Sequence, residues 1–543
     1  MKIFTSRRQF VLFFLLTIIF SLLFLGPMHD WQPHITQGDH GRDLYAFKKT
    51  LEGQVPYRDY WWPYGPLTPY YYAFIYKILG ISIQSAIQGN LFLQFSCCIV
   101  FFLILSRLLS PALSFTGAMF FNVFAPRFDH TYCHTGGILF LLLLFYLLVL
   151  YLNEKKKKYA LGCFLCLFIL ALIKINFGII NLMAVSILLF LWAKYVDQAI
   201  SHHKKFLFAG IVTTALAIGL AYFALVYPLS REQLLQCFPF LPQYRISDPI
   251  KNTLWKSIFG YLSSLWQMII HSWPSMLLFL TFSLASLMFL LPRAHAEKTT
   301  ISKKRMGIIL LACLFFLFLS LHEYFGGSPN YSKTWAAPFE FLFFWLIIGY
   351  GVSRLPKIFQ LSLIIIVNLF VATTAYHILS FLRIQRTQPG FLLKTEYSQV
   401  YTFNPFDWFI TVQKTTAFLN DHLKEKEEFL AIPYEPFFYF LTNRNSPIWQ
   451  MNFQDYQNIG QEQAMIIQEL EKKHINWILV SNDVAADPLF LSAPKKRDGP
   501  FCPSLIQYVI ENYTPVISFG RWVNETRSSV DNYAVIIFKR NSF

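Results

Sequence analysis

The chain has 543 residues, of which 55% are hydrophobic, 18% aromatic and only 14% charged. Soluble domains carry about 25% charged residues, so this composition excludes an ordinary soluble protein and points to a membrane class. The formal charge of +16 does not call for nucleic acid, because the basic residues sit in short clusters between apolar runs, as they do in cytoplasmic loops.

Lys2, Arg7 and Arg8 precede an apolar run from Phe10 to Leu25 that lacks a small-residue cleavage site and ends at Gly26-Pro27. That pattern predicts an uncleaved first span. A helix needs about 20 apolar residues to cross a bilayer. On this rule spans are expected near 9–27, 85–107, 111–126, 136–152, 159–175, 178–196, 206–228, 273–292, 306–321, 336–352 and 359–381. With eleven spans, the basic clusters at Lys155 to Lys158, Lys204-Lys205, Lys303 to Arg305, and Arg354 with Lys357 all fall on the side of the amino terminus. The amino end is therefore expected inside and the carboxyl end outside. Eight cysteines are scattered, mostly within apolar spans. Cys97-Cys98 and Cys163 with Cys166 read as buried small hydrophobes rather than redox pairs.

This topology places six pieces outside: the loop 28–84, a short loop at 127–130, a tight turn at Lys174-Ile175-Asn176, the segment 231–255, the loop 322–335, and everything after Phe381. Residues 254–272 mix Trp, Ser and Gln with apolar residues and suit an interfacial helix. From about Arg383 the tail changes character. Helices are expected at 415–426, 461–474 and 504–513, and strands at 428–432, 475–481, 514–523 and 532–539, which together make a small α/β domain. No Gly-rich phosphate loop or complete catalytic set is visible in it; support, acceptor docking or partner binding are its expected roles.

The densest chemistry lies in Gly38 to Pro66, GDHGRDLYAFKKTLEGQVPYRDYWWPYGP. Asp39 and Asp43 are one helical turn apart and share a face. Asp39 has two readings, a helix N-cap for 42–51 or a catalytic base. Asp43 either holds Asp39, binds an acceptor, or is a solvated helix-face acid. Arg58 and Asp59 suit pairing within the loop. Trp61, Trp62 and Tyr64 are expected to anchor the loop at headgroup depth, with sugar stacking as the alternative. Further on, Arg127, Asp129, His130 and His134 fall within eight residues, a set that could bind zinc if helical. Lys174, at the outer end of an apolar run, either snorkels or holds a lipid phosphate. Lys333, beside Tyr331, is the second candidate for that contact.

The Gly38–Pro66 segment resembles the first external loop of the polytopic type-C glycosyltransferases (GT-C) that use polyprenyl-phosphate sugars. That group includes the protein O-mannosyltransferases and the lipid A aminoarabinose transferases. Their loop runs from Asp-Glu through a helix to a Leu-x-Gly turn, Pro-Tyr-x-Asp and a Lys-Pro-Pro entry into the next helix. Here Asp39, Gly53, Pro56, Tyr57 and Asp59 match that pattern. His40 stands in place of the Glu, and Trp62-Pro63-Tyr64-Gly65-Pro66 in place of the acid and lysine before the prolines.

The resemblance implies an α-helical polytopic membrane protein, GT-C-like with about eleven transmembrane helices, and a C-terminal extracytoplasmic α/β domain. It divides the chain into a transmembrane region, 1–382, and a tail, 383–543. It implies Asp39 as the base of an inverting transfer, Asp43 and Asp129 as further acids, and His40, Arg58, Tyr64, Arg127, His130, Lys174 and Lys333 as donor or acceptor contacts. No cofactor or metal ligand set is implied, although a divalent metal is compatible with this fold. The partners are a polyprenyl-phosphate sugar, a cell-envelope glycan, lipid or protein acceptor, and the bilayer of the plasma (inner) membrane. Such a donor carries a good leaving group, so one carboxylate base and cationic stabilisation of the departing phosphate suffice, unlike the two carboxyl groups of a glycosidase. The alternatives are a transporter or flippase, which would be expected to show matched halves with broken helices, and a polymerase or ligase using lipid-pyrophosphate glycans.

Overall fold

In the computed structural model, residues 7–28, 38–125, 132–195, 198–231, 233–234, 312–313, 315–316, 329–352, 355–387, 391–395, 399–402, 407–453, 460–482, 503–520 and 533–541 are described. Apolar runs form the membrane helices α1 (Arg7–Leu25), α4 (Ile83–Ser106), α5 (Pro111–Phe124), α6 (Tyr132–Glu154), α7 (Lys157–Ile173), α8 (Ile175–Tyr195), α9 (Lys204–Val226), α10 (Pro329–Val352) and α11 (Lys357–Thr387). Among the described residues, six helices are long and apolar enough to cross a bilayer. Their outward faces carry large apolar side chains such as Leu23, Phe208 and Ile366, which are stable only against lipid. The chain is an integral membrane protein.

Each expected span with described residues along its length lies on one of these helices. The span 273–292, the interfacial helix 254–272, and all but four residues of 306–321 lie outside the described residues. One boundary differs. Residues 329–335, expected within an external loop, are already helical in α10, where Trp335 stacks on Phe177 at 3.6 Å.

Two further helices belong to the first loop, α2 (Asp39–Leu51) and α3 (Leu67–Leu79). The tail adds a two-stranded ribbon, β1 (Phe391–Lys394) with β2 (Gln399–Thr402), and a four-stranded sheet. That sheet consists of β3 (Phe429–Ile432), β4 (Trp477–Ser481), β5 (Tyr513–Gly520) and β6 (Ala534–Arg540), in the order β3-β4-β6-β5. Strands β3 and β4 are parallel and the other neighbours antiparallel. Helices α12 (Asp407–His422), α13 (Pro436–Leu441), α14 (Gly460–Lys472) and α15 (Pro503–Asn512) complete it.

The pleat sorts this sheet into two faces. Leu430, Ile432, Ile478, Val480, Ile536 and Phe538 pack on Ile466, Leu470 and Val509 of α14 and α15. The alternate residues Phe429, Ala431, Trp477, Leu479, Val535 and Ile537 join a different core, shared with α12, α13 and the first loop's Phe47, Tyr57, Trp62 and Tyr72. The first loop thus buries its apolar surface against the tail.

This assembly sits at one end of the helix bundle. At one end of α7, Lys157 lies 5.4 Å from the Phe206 ring, and nearby Tyr151 meets His203 at 3.1 Å, so the basic turns before α7 and α9 are adjacent. At the other end of α7, the Gly65 N–H of the first loop donates to the Ile173 carbonyl at 2.9 Å.

Candidate active site

Helix α2 begins at Asp39, with Gly38 in the cap position and no side-chain cap bond. This corrects the cap reading of Asp39, whose carboxylate lies inside the first turn, where the helix dipole favours negative charge. The helix stops at Gly53, whose φ of 91° suits glycine. At Gly41 the backbone of α13 comes so close that a Cβ would sit 2.5 Å from the Phe437 nitrogen. Only glycine lets the two helices meet at this distance.

Arg42, which is 2% exposed, organises the cluster. Its Nη1 donates to Asp39 Oδ1 at 2.9 Å and to the Tyr434 hydroxyl at 2.8 Å. Its Nη2 and Nε donate to Asp43 Oδ1 at 2.7 and 2.9 Å. The Tyr434 hydroxyl in turn donates to Asp39 Oδ1 at 2.9 Å. One guanidinium thus ties two carboxylates together, and the tail closes the arrangement with a phenol. Charge-assisted bonds of this kind fix geometry as well as contribute energy.

The two acids differ in environment. Asp43 is fully buried and its Oδ2 accepts the Tyr132 N–H at 3.2 Å, so it is not the solvated helix-face acid considered above. Burial pushes its carboxyl up to about 6, against the pull of Arg42. The Asp39 side chain remains 32% exposed. Of the pair, Asp39 alone is accessible from outside the protein.

Aromatic residues enclose the cluster. The Arg42 guanidinium lies 5.0 Å from the Tyr64 ring, 5.4 Å from Trp62 and 6.0 Å from Trp61, within cation–π range. Trp61 and Trp62 are 5% and 0% exposed, and Trp62 Nε1 donates to the Gly65 carbonyl at 2.9 Å. They are core residues rather than headgroup anchors, because the tail covers the loop surface that would otherwise face the membrane. Tyr64 also meets Lys174, whose Nζ lies 5.4 Å from its ring, and 5.7 and 5.8 Å from Phe177 and Trp335. Lys174 occupies the extended link between α7 and α8, as the expected tight turn requires. Its side chain turns into this aromatic cage instead of snorkelling outward. Two cations, from distant parts of the chain, therefore flank one tyrosine.

The other candidates are placed as follows. His40 is buried, edge-on to Tyr132 at 5.8 Å, a packing position. Arg58 is exposed and pairs with Asp59 in a fork, at 2.8 and 2.7 Å, on a separate cleft. His134 is buried and its Nδ1 accepts from Trp335 Nε1 at 2.6 Å, which commits that nitrogen. Arg127, Asp129 and His130 lie outside the described residues, as does the side chain of Lys333 on α10. Among the described residues, no three His, Cys, Asp or Glu side chains gather as a metal site.

Sequence reasoning missed two members. Arg42 was legible, being three residues after Asp39 and next to Asp43 on one helix. Tyr434 gave no signal, since it lies 395 residues from its partner.

No protein-family model and no curated relative matches the chain. Among solved structures, ArnT from Cupriavidus metallidurans in the apo state superposes with a TM-score of 0.51 at 11% identity, covering 97% of both chains. The crystal structure of ArnT from the same organism bound to undecaprenyl phosphate gives 0.48 at 12% identity, again over 97% of each chain. The arabinofuranosyltransferase AftD from Mycobacteria gives 0.48 at 14% identity, over 99% of this chain and 40% of AftD. The apo ArnT match carries the fold assignment, and with the helical bundle, the first loop and the α/β tail in place, the chain has the polytopic type-C glycosyltransferase fold.

Proposed function

We propose that the protein is a membrane glycosyltransferase. It moves a sugar from a polyprenyl-phosphate donor to a cell-envelope acceptor, a glycan, lipid or protein, on the extracytoplasmic face of the plasma membrane. The observation that carries this reading is the partly exposed Asp39 carboxylate, oriented by Arg42 and Tyr434 beside the two-cation Tyr64 cluster. The basic turns at the opposite end of the bundle support the sidedness.

In the proposed step, Asp39 takes the proton of the acceptor hydroxyl as that oxygen bonds the sugar's anomeric carbon. The bond from that carbon to the phosphate oxygen breaks, and the electron pair leaves with the polyprenyl phosphate. Lys174, at the end of α7, is the residue assigned to the departing phosphate in place of the lysine that the resembled loop carries before its prolines, with Lys333 as the second candidate. Asp43 acts through Arg42, as a positioning residue. No metal enters the step.

The test is transfer from a panel of radiolabelled polyprenyl-phosphate sugars in membranes carrying wild type or Asp39→Asn at equal expression. A positioned base contributes about 10²–10⁴-fold, and a loss of that size is expected. Lys174→Gln should lower transfer mainly through kcat, because the charge it faces develops on the departing phosphate in the transition state. Full activity in Asp39→Asn would remove Asp39 as the base, and no transfer from any donor by folded wild type would remove the transferase reading.

A further inference from the structure

A second site lies on the seam between the first loop and the tail. A cleft of about 650 Å³ opens there, a size typical of small-molecule sites. Helix α2 and the turn after it contribute Tyr45, Lys49, Gln54 and Arg58, and the tail contributes Glu428, Asn445, Trp449, Gln450, Glu469 and Lys473.

The charges in this cleft are balanced within it. Arg58 pairs with Asp59 at 2.7 Å and Lys473 with Glu469 at 3.4 Å. Lys49 bonds Glu52 and donates to Asn445 Oδ1 at 2.8 Å. Three lining cations therefore face acids already, and no surplus positive charge is offered to a phosphate or another polyanion. What the lining adds is side-chain amides and hydroxyls, from Gln54, Ser230, Gln233 and Gln450, beside the half-buried Trp449 ring and the buried Tyr45 and Tyr60. Ser230 Oγ and Gln233 Oε1 already accept each other's backbone N–H at 3.2 and 3.1 Å, and these two side chains keep their O–H and N–H groups as donors. Flat donors and acceptors next to aromatic rings match a neutral, polyhydroxylated ligand, whose hydroxyls need many hydrogen bonds and whose ring faces are weakly apolar.

The walls are held in place before any ligand arrives. Trp449 Nε1 donates to the Tyr57 carbonyl at 2.7 Å, and the Trp449 carbonyl accepts the Trp61 N–H at 3.1 Å. The Tyr45 hydroxyl accepts the Ser446 N–H at 2.9 Å. Such preorganisation lowers the ordering cost of binding. The cleft's position is also informative. Tyr45 and Lys49 follow Asp39 on α2, about 9 and 15 Å along the helix axis at 1.5 Å per residue. That is too far for the reacting hydroxyl and, with Tyr45 and Lys49 turned about a third and a quarter of the way round the helix from Asp39, suits a part of the glycan that passes beside α2.

We infer that this cleft binds the neutral glycan portion of the acceptor, remote from the reacting hydroxyl. The inference rests on the transferase reading for the word acceptor, and on the cleft alone for the ligand class. Remote binding of this kind supplies energy that positions the reacting end.

The experiment presents the full-length protein in detergent to an array of neutral tri- to hexasaccharides beside phosphorylated and sialylated ones. Wild type and Asp39→Asn are compared with two cleft variants, Gln54→Ala with Glu469→Ala, and Gln450→Trp. Each variant's thermal transition is recorded, so a misfolded protein is recognised and the other variant decides. The expected result is binding of neutral glycans by wild type and Asp39→Asn, weakened about tenfold or more in a folded cleft variant. No binding, preference for the anionic glycans, or equal binding in the cleft variants would overturn the inference. If Asp39-dependent transfer is seen without array binding, the cleft assignment falls and the transferase reading stands. If cleft-dependent binding is seen without transfer from any donor, the transferase reading falls and the acceptor role falls with it.

Discussion

Helices α2 and α11 invert the usual relation between polarity and exposure. Helix α2 carries Asp39, Arg42, Asp43, Lys48 and Lys49, yet every residue from His40 to Thr50 is buried. Helix α11 is apolar, yet Ile358, Ile366 and Leu369 are 70%, 62% and 62% exposed. Lipid is the solvent for α11, so its exposed aliphatic groups incur no hydrophobic penalty. For α2 the solvent is the tail, which supplies a partner for each buried cation: Tyr434 for Arg42, Asn443 for Lys48 and Asn445 for Lys49. Burial is costly only where the surroundings fail to match the group. A charged helix can therefore be core and a greasy one surface.

Breaking the match at α2 should have the largest effect. Arg42→Ala leaves Asp43 buried without its cation, a change that costs about 3–5 kcal/mol, and releases Asp39. Thermal unfolding in detergent should show a clear drop, and transfer should be lost. Arg42→Lys retains the charge but not the fork and should recover stability better than activity.

Gly41→Ala should come next. Its methyl group would be forced against the Phe437 backbone, and overpacking of this kind costs about 1–3 kcal/mol. The contrasting substitution is Gly219→Ala on α9, where nothing lies within 4 Å. It should be neutral or slightly stabilising, since alanine is the better helix former.

The raised Asp43 carboxyl sharpens the comparison through pH. As pH falls through about 6, Asp43 takes a proton, Arg42 loses one carboxylate partner, and transfer should decline. The same group should act on stability in the opposite direction. Its burial opposes folding most when it is charged, so that penalty shrinks as pH falls from about 6 toward the unfolded value near 4. Asp43→Asn should be less active at pH 7 and should lack the acidic decline. A wild-type pH profile that stays flat through 6 would contradict this assignment.

Smaller effects complete the series. Tyr434→Phe removes one hydroxyl from between Asp39 and Arg42, worth about 0.5–1.5 kcal/mol. It should reduce transfer about two- to tenfold with little change in unfolding temperature. Ile366→Ala on the lipid face of α11 should stay within about 0.5 kcal/mol of wild type.

Much of the architecture was legible because it is written locally. Long apolar runs foretold the described membrane helices, and short apolar runs bounded by polar residues foretold β3, β4, β5 and β6 to within a few residues. Helices α14 and α15 followed from their amphipathic pattern, whereas the helix expected at 415–426 is α12, which spans Asp407–His422. Helix α13 was missed, since Pro436 to Leu441 is too short and too uniformly aromatic to show a helical period. That omission mattered, because α13 is the element against which Gly41 fits. Trp61 and Trp62 were misread for a related reason. Aromatic residues near a membrane boundary default to anchoring, and only the overlying tail shows that they are interior.

From the sequence by itself came the membrane class, the placement of basic turns, the α/β character of the tail, and the first loop as the seat of charge. These depend on composition and on periods of a few residues, which neighbouring positions determine. Tertiary structure decided which of two similar acids is exposed, that Arg42 joins them, and that Lys174 and Tyr434 converge on the same loop. Those outcomes depend on contacts between segments far apart in the chain, such as Asp39 with Tyr434, 395 residues away. Local pattern carries no information about such pairs, because the free energy that brings them together comes from a core shared by the first loop and the tail.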